Sequence, residues 1–326
     1  MRKSFFVLWP FCILLFACGN NETSDVLSQS PFDKLTDSIR HAPKNADLYY
    51  RRGILLYRNN YIPHAQQDVQ KAWTLSPKEE YALSLTNLLE RKNTDSAIAF
   101  LQEAQKRIPA SVAIQVNLAK YYQEKNKLQE ALSICKKIIA EHPNQLDALI
   151  LKSEILKSLN QDQEALSTLE EAYSYAPFDV ALTYNLAFEY AEAKNPKVLK
   201  LCDSLIRRDI SKTHAEPYYF KGLYYSNTNN EFEALRFFDE AIRRDYNFLD
   251  AYMEKGQILY NQKKYADALK TFQLVVTITT TYADGYYWIA KTQQAMGNKQ
   301  DAKLNYQRAY GLDKSLIEAK QAAESL

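Results

Sequence analysis

One interval of 34 residues runs through the C-terminal part of this chain. Gly222, Gly256 and Ala290 form one column at that spacing, and Tyr218, Tyr252 and Tyr286 form another. Ala234, Ala268 and Ala302 make a third, Phe238, Phe272 and Tyr306 a fourth, and Ala241, Val275 and Ala309 a fifth. Self-similarity at such a period means stacked supersecondary units, none of which can bury its apolar face alone. Composition says what the units are made of. Only 7 Gly and 10 Pro occur in 326 residues, and long stretches lack both, which favours helix over sheet.

The pattern extends upstream. Residues 46–79 carry Tyr49, Gly53, Leu56, Ala65, Val69, Ala72 and Pro77 in the same order. Pro77, Pro109, Pro143 and Pro177 then follow one another at 32, 34 and 34 residues, each placed where a second helix must stop. Ala97, Leu101 and Ala104, then Leu118, Ala119, Tyr122, Ala131 and Cys135, then Ala165, Leu169 and Ala172 fill the units between.

This sequence resembles the tetratricopeptide-repeat (TPR) family. That pattern has an aromatic residue at position 4, small ones at 8, 20 and 27, bulky ones at 11 and 24, and proline at 32. The resemblance covers residues 31–326, about nine tenths of the chain. It implies an all-α fold, with helix-turn-helix repeats stacked into a right-handed superhelix, an α–α solenoid. Eight units are expected over 46–316, after an N-terminal half repeat over 31–45. A capping helix is expected over 317–326, introduced by Ser315 as N-cap, with Glu318, Lys320 and Gln321 facing outward. The fifth unit departs most from the pattern. Asn195-Pro196 shortens its inner turn and Ile210 to Glu216 lengthen its exit, so the geometry is expected to break there if anywhere.

The amino terminus reads as an address. Arg2 and Lys3 precede an apolar run from Ser4 to Ala17, fourteen residues that include Pro10. That is too short for a spanning helix, which needs roughly 20. The run closes on Leu15-Phe16-Ala17-Cys18 and then Gly19, which resembles the lipobox of bacterial lipoproteins. The resemblance implies a signal peptide over 1–17, a diacylglycerol on the Cys18 thiol and a further acyl chain on its amino group, palmitate among the candidates. It also implies a flexible tether over 18–30, about 20 Å long as a coil. No Asp follows Cys18, so by analogy with a known sorting rule the outer membrane is expected, on its periplasmic rather than its outer face. Without Arg2 and Lys3 the 41 basic residues fall into balance with the 39 acidic ones, which lacks the overall excess of a nucleic-acid binder.

No constellation for catalysis stands out. His41, His64, His142 and His214 fall in different units, and no zinc, nucleotide or nucleophile-elbow motif occurs. Cys12 lies in the leader. Cys135 and Cys202 share one buried helix column two repeats apart, too far to bridge. The expectation is a binding protein with no cofactor and no metal, not an enzyme.

In the TPR family the first helices line a concave surface. Here that implies a groove of Tyr50, Ile54 and Tyr57 in unit one. In units five to eight it implies Tyr184, Phe188, Tyr219, Leu223, Asn227, Met253, Gln257, Tyr260, Asn261, Tyr287 and Lys291. Aromatic rings interleaved with amides suit an extended peptide or partner helix, and the rings are expected to be exposed in the free protein. The Lys and Asn pair by which some TPR domains clamp a terminal carboxylate is missing. The resemblance thus implies a scaffold or adaptor for protein partners, serving envelope-machine assembly or a cell-wall enzyme; a homo-oligomer stays open. The alternative is a protein that holds a glycan or cell-wall fragment in the aromatic groove. Acidic or aromatic pairs converging on one cleft would favour that alternative, and a long open groove would favour peptide.

Overall fold

The computed structural model describes residues 26–91, 93–211 and 213–326. The leader, Cys18 and most of the tether lie outside them. Among the described residues there are eighteen helices of nine or more residues and no strand. They fall into two compact units that divide between Glu141 and His142.

The first unit opens with α1 (Asp33–His41), followed by three helix pairs. These are α2 (Ala46–Arg58) with α3 (Ile62–Leu75), α4 (Glu79–Glu90) with α5 (Thr94–Arg107), and α6 (Val112–Glu124) with α7 (Leu128–Glu141). The second unit holds five pairs. They are α8 (Leu146–Ser158) with α9 (Asp162–Tyr175), α10 (Val180–Glu192) with α11 (Lys197–Arg208), and α12 (Glu216–Asn227) with α13 (Glu231–Arg244). Then come α14 (Leu249–Asn261) with α15 (Tyr265–Ile278), α16 (Ala283–Ala295) with α17 (Lys299–Leu312), and the terminal α18 (Ile317–Ser325).

The turn inside a pair is built the same way seven times. A residue in the left-handed region ends the first helix: Asn60, Asn126, Asn160, Lys194, Asn229, Lys263 or Gly297. The next N–H then bonds back to a carbonyl five residues earlier, Tyr61 to Leu56, Gln161 to Leu156 and Lys264 to Leu259, each at 2.9 Å. This Schellman closure satisfies carbonyls that a helix end leaves unpaired. Asn and Gly adopt that conformation at little cost; Lys194 and Lys263 do so against their preference. The turn between pairs is closed by proline: α3, α5, α7 and α9 each stop two residues before Pro77, Pro109, Pro143 and Pro177.

Small residues let the two helices of a pair meet. A Cβ on Gly256 would come within 2.4 Å of the Phe272 ring, and one on Gly222 within 2.6 Å of Phe238. Gly53 faces Val69 in the same way, at 2.8 Å. Phe238 and Phe272 are fully buried as a result.

One contact had no signal in the repeat pattern. Arg52 forms a bidentate buried pair with Asp68, at 2.6 and 2.8 Å. Its third nitrogen donates to Thr36 Oγ1 on α1, and Thr36 donates to the Leu27 carbonyl. The last residues of the expected tether and α1 are therefore pinned to the first helix pair, so the flexible segment cannot run to residue 30.

Two details differ from expectation. Helix α18 begins after Leu316, and no side chain caps it. Asp313 instead accepts the Ser315 N–H at 2.8 Å, which spends Ser315 on a turn before the helix. Glu318, Lys320 and Gln321 do face outward. The fifth pair, for its part, stays inside the second unit, and its long exit is stapled. Asp209 accepts from Ser211 Oγ and from the His214 N–H, at 2.7 and 2.9 Å. Those bonds, with the His214 ring beside them, hold its carboxyl well below the usual range.

Candidate functional site

The expected groove residues from Tyr184 to Lys291 lie on α10, α12, α14 and α16, four of the five first helices of the second unit. Tyr184 meets Phe220 edge-on at 6.2 Å, and Phe188 meets the same ring at 5.9 Å. Tyr219 packs on three rings, Phe220, Phe238 and Phe248, at 5.2–6.0 Å. Tyr287 lies between Trp288 and Tyr306 and donates to Glu318 on α18. Tyr260 contacts Tyr265 and Trp288. These rings form an aromatic seam in two stretches, one around Phe220 and Tyr219 from α10 to α12 and one around Trp288 from α14 to α16.

That seam corrects the expectation of exposed rings. Tyr184, Phe188, Tyr219, Tyr260 and Tyr287 are half-buried, because each ring also fills the gap to its neighbour. Leu223 and Met253, 7% and 6% exposed, belong to the core. Asn227 donates to the Ala191 carbonyl and so ties α12 to α10. Gln257 and Lys291 are half-buried, and Asn261 is exposed. In the first unit Tyr57 is 42% exposed beneath the Arg91 guanidinium. Tyr50 packs on Tyr81 and shares a hydrogen bond with Ser84, while Ile54 lines a shallow apolar dimple with Leu35 and Arg58.

The structure adds three features to the expected groove residues. Trp288 stacks on Phe272 and receives the Lys291 ammonium over its face at 4.5 Å. Between α8 and α10 a cleft of about 210 Å³ is lined by Glu154, Lys157, Asn185, Phe188 and Glu189. Lys157 pairs there with Glu189 and covers the Phe188 ring. Carboxylates are the third feature, and they gather around Tyr219. Burial first, then Glu254, Asp250 and Glu192, push its hydroxyl well above the usual phenol range. Burial first, then Glu192 and Asp250, hold the Glu254 carboxyl above the usual carboxylate range. Burial pushes the Tyr184 hydroxyl up to about 12, with Glu216 the largest charge beside it. The acids sit at different positions of successive first helices, so no column of the repeat announces them.

Other expected features are quickly placed. Cys135 and Cys202 are both buried and are not bridged to each other, and burial pushes the Cys202 thiol up to about 12. Among the described residues no three His, Cys, Asp or Glu side chains stand close enough to share a metal ion. No helix of the described residues is long and apolar enough to cross a membrane.

Three family models, each described as tetratricopeptide repeat, match this chain. One matches residues 88–155 and 122–187, a second 232–283 and a third 283–316, together more than half of its length. The chain is a tetratricopeptide-repeat protein. Its TPR array is 28% identical over 104 residues to Tetratricopeptide repeat protein 1 of Schizosaccharomyces pombe. The match takes in 29% of this chain and spans only about a tenth of that relative's length. Among solved structures, a TPR protein from Parabacteroides merdae superimposes with a TM-score of 0.62 at 18% identity, over 75% of this chain and 97% of that one. The pilus biogenesis factor PilW gives 0.53 at 17%, over 64% and 96%. A chain of the Cut9–Hcn1 assembly also gives 0.53, at 14%, over 91% and 60%. Identities this low speak for the shared TPR fold alone.

Proposed function

We propose that this TPR protein is a lipid-anchored scaffold or adaptor that captures a protein or peptide partner at the outer membrane. The observation that carries the reading is the groove on the first helices of the second unit. It combines a seam of half-buried rings with exposed amides and carboxylates, which suits a polypeptide segment laid along several repeats. TPR arrays serve protein–protein recognition. The membrane part of the proposal rests on Arg2, Lys3, the apolar run and Cys18. Several acyl chains would hold the protein stably where one would be marginal.

The test places a photo-cross-linking residue at Asn185 or Asn261, both exposed on first helices, and at Lys270 on the exposed face of a second helix as control. Cross-links to a discrete partner from Asn185 and Asn261, and none from Lys270, are expected. The reverse pattern would move the binding surface to the second helices. The glycan alternative has one observation on its side, the convergence of Glu192, Asp250 and Glu254 on Tyr219. Against it, sugar stacking needs an open ring face, and Tyr219 is packed on three rings.

A further inference from the structure

Two second helices of the first unit, α5 and α7, leave a cleft of about 900 Å³ between them. The repeat register shows why it is open. Gln105 follows Ala104, the last column residue of α5, and is half-buried. In the other pairs that place is taken by Trp73, Ile139, Tyr173, Ile206, Ile242, Val276 or Tyr310, all aliphatic or aromatic. One pair upstream, Trp73 of α3 meets Phe100 of α5 edge-on at 5.4 Å, and the Arg107 guanidinium covers the indole at 4.8 Å. The matching residues of α5 and α7 are Gln105 and Ile134, which are too small to fill the same space.

Carboxamides and hydroxyls line both walls. Helix α5 supplies Gln102 and Gln105, and α7 supplies Gln129 and Ser133. Gln102 Nε2 donates to the Tyr122 hydroxyl on α6 at 2.7 Å, which leaves that hydroxyl's own proton for a further acceptor. A second buried amide borders the site at Pro109. Gln115 is 3% exposed and stands one turn before Leu118 on the same face of α6. Its Nε2 donates to the Pro109 carbonyl at 2.9 Å, while its Oε1 is buried with no hydrogen-bond partner among the described residues. Native proteins rarely leave such an atom unpaired. Aliphatic surface is confined to Leu118 and Ile134. The charged lining, Lys106, Lys137 and Glu130, is exposed and of mixed sign, so charge selects no ligand.

We infer that this cleft is a second binding site and that it takes a neutral oligosaccharide. Each carboxamide offers donors and an acceptor from one group, and each sugar hydroxyl does the same from one atom, so opposed glutamines can pair with neighbouring hydroxyls in both senses. The C–H face of a sugar ring then rests on Leu118 and Ile134. The volume lies at the upper end of small-ligand clefts, about 300–1,000 Å³, which suits several rings better than one. Peptide segments are held by a sheet edge, a continuous apolar groove or an aromatic-lined trough, and the cleft has none of these. The site belongs to the first unit and to second helices, so it is independent of the groove proposed for the partner.

The test titrates the full chain, in a detergent without a sugar headgroup, with cellotetraose, maltotetraose, mannotetraose and chitotetraose, and with a capped glutamine–serine hexapeptide. Saturation-transfer NMR and calorimetry read binding. At least one tetrasaccharide is expected to bind with a Kd of about 1 mM or tighter. Gln105→Ile, which restores the residue type of the other pairs, is expected to weaken it at least about tenfold while the melting temperature holds or rises. Gln129→Ala with Ser133→Ala, exposed on the facing wall, is expected to act in the same direction and carries the test if Gln105→Ile misfolds. Gln273→Ala on α15, exposed at the repeat position that Gln102 holds on α5, is expected to change binding less than about twofold. Circular dichroism checks that every variant keeps its helix content. No tetrasaccharide bound at about 5 mM would overturn the inference. So would tighter binding of the hexapeptide than of every sugar, or sugar binding that survives both site variants.

Discussion

Gly256→Ala adds one methyl group where two helices of a pair touch. The new Cβ would lie 2.4 Å from one Phe272 ring carbon and 2.6 and 2.9 Å from two others. Ordinary carbon contacts are about 3.5–4.0 Å, so ring or helix must shift by about 1 Å. Phe272 is fully buried and its ring is stacked on Trp288 at 5.6 Å, which leaves it little room to move. Overpacking of this kind costs about 1–3 kcal/mol. Against it stands the helix preference of Ala over Gly, about 1 kcal/mol. Gly311, also helical, has nothing within 4 Å of its Cβ position, so Gly311→Ala collects the preference without the clash. The difference between the two variants therefore isolates the packing term, at about 1–3 kcal/mol. Guanidinium unfolding followed by circular dichroism measures it, with Trp288 emission as a local probe of the same contact. Phe272→Leu should relieve the clash, so the double variant is expected to be more stable than the sum of the singles by at least about 1 kcal/mol. Equal stabilisation by Gly256→Ala and Gly311→Ala would refute the argument that position 8 is small because the facing ring occupies its space.

Other expectations use the same logic. Lys263→Gly removes a side chain from a left-handed turn position and is expected to raise stability by about 0.5–1 kcal/mol by denaturant titration, whereas Lys263→Leu keeps the strain and is expected to gain nothing. Arg52→Ala leaves Asp68 buried without its partner and is expected to cost about 3–5 kcal/mol in the same assay. Glu254 has its carboxyl pKa raised in the fold, so its ionisation opposes folding. That penalty is absent below the unfolded pKa, about 4.5, and grows as pH rises through the folded value. Glu254→Gln is thus expected to match the parent in stability near pH 4 and to exceed it near pH 7, in unfolding curves at both. For the anchor, Cys18→Ser is expected to abolish incorporation of a fatty-acid probe and release the protein from membranes; unchanged labelling would sink the lipobox assignment.

Much of the fold was legible in the sequence because its information is local and repeated. The five columns from residue 218 onward mark where two helices must touch, and Gly256 against Phe272 is that column pattern in three dimensions. The prolines at 77, 109, 143 and 177 end helices whatever surrounds them. The left-handed asparagines at the inner turns were equally readable, at 34-residue spacing from Asn126 to Asn160, though only the backbone drew notice to them. Burial of the groove residues was not legible. Whether Tyr219 faces solvent or three other rings depends on Phe238 on α13 and on Phe248 in the turn before α14. The Arg52–Asp68 pair joins residues sixteen apart on two helices, and nothing in either helix alone announces it. Net charge says nothing of where the charges lie. A chain with near-balanced charges sorts them by packing, so that Lys221 and Lys255 pair with Asp203 and Asp239 between helices. Sequence determines which residues belong to a helix and which side of it is apolar; only the stacking of one helix on the next determines which rings are covered and which charges meet their opposites.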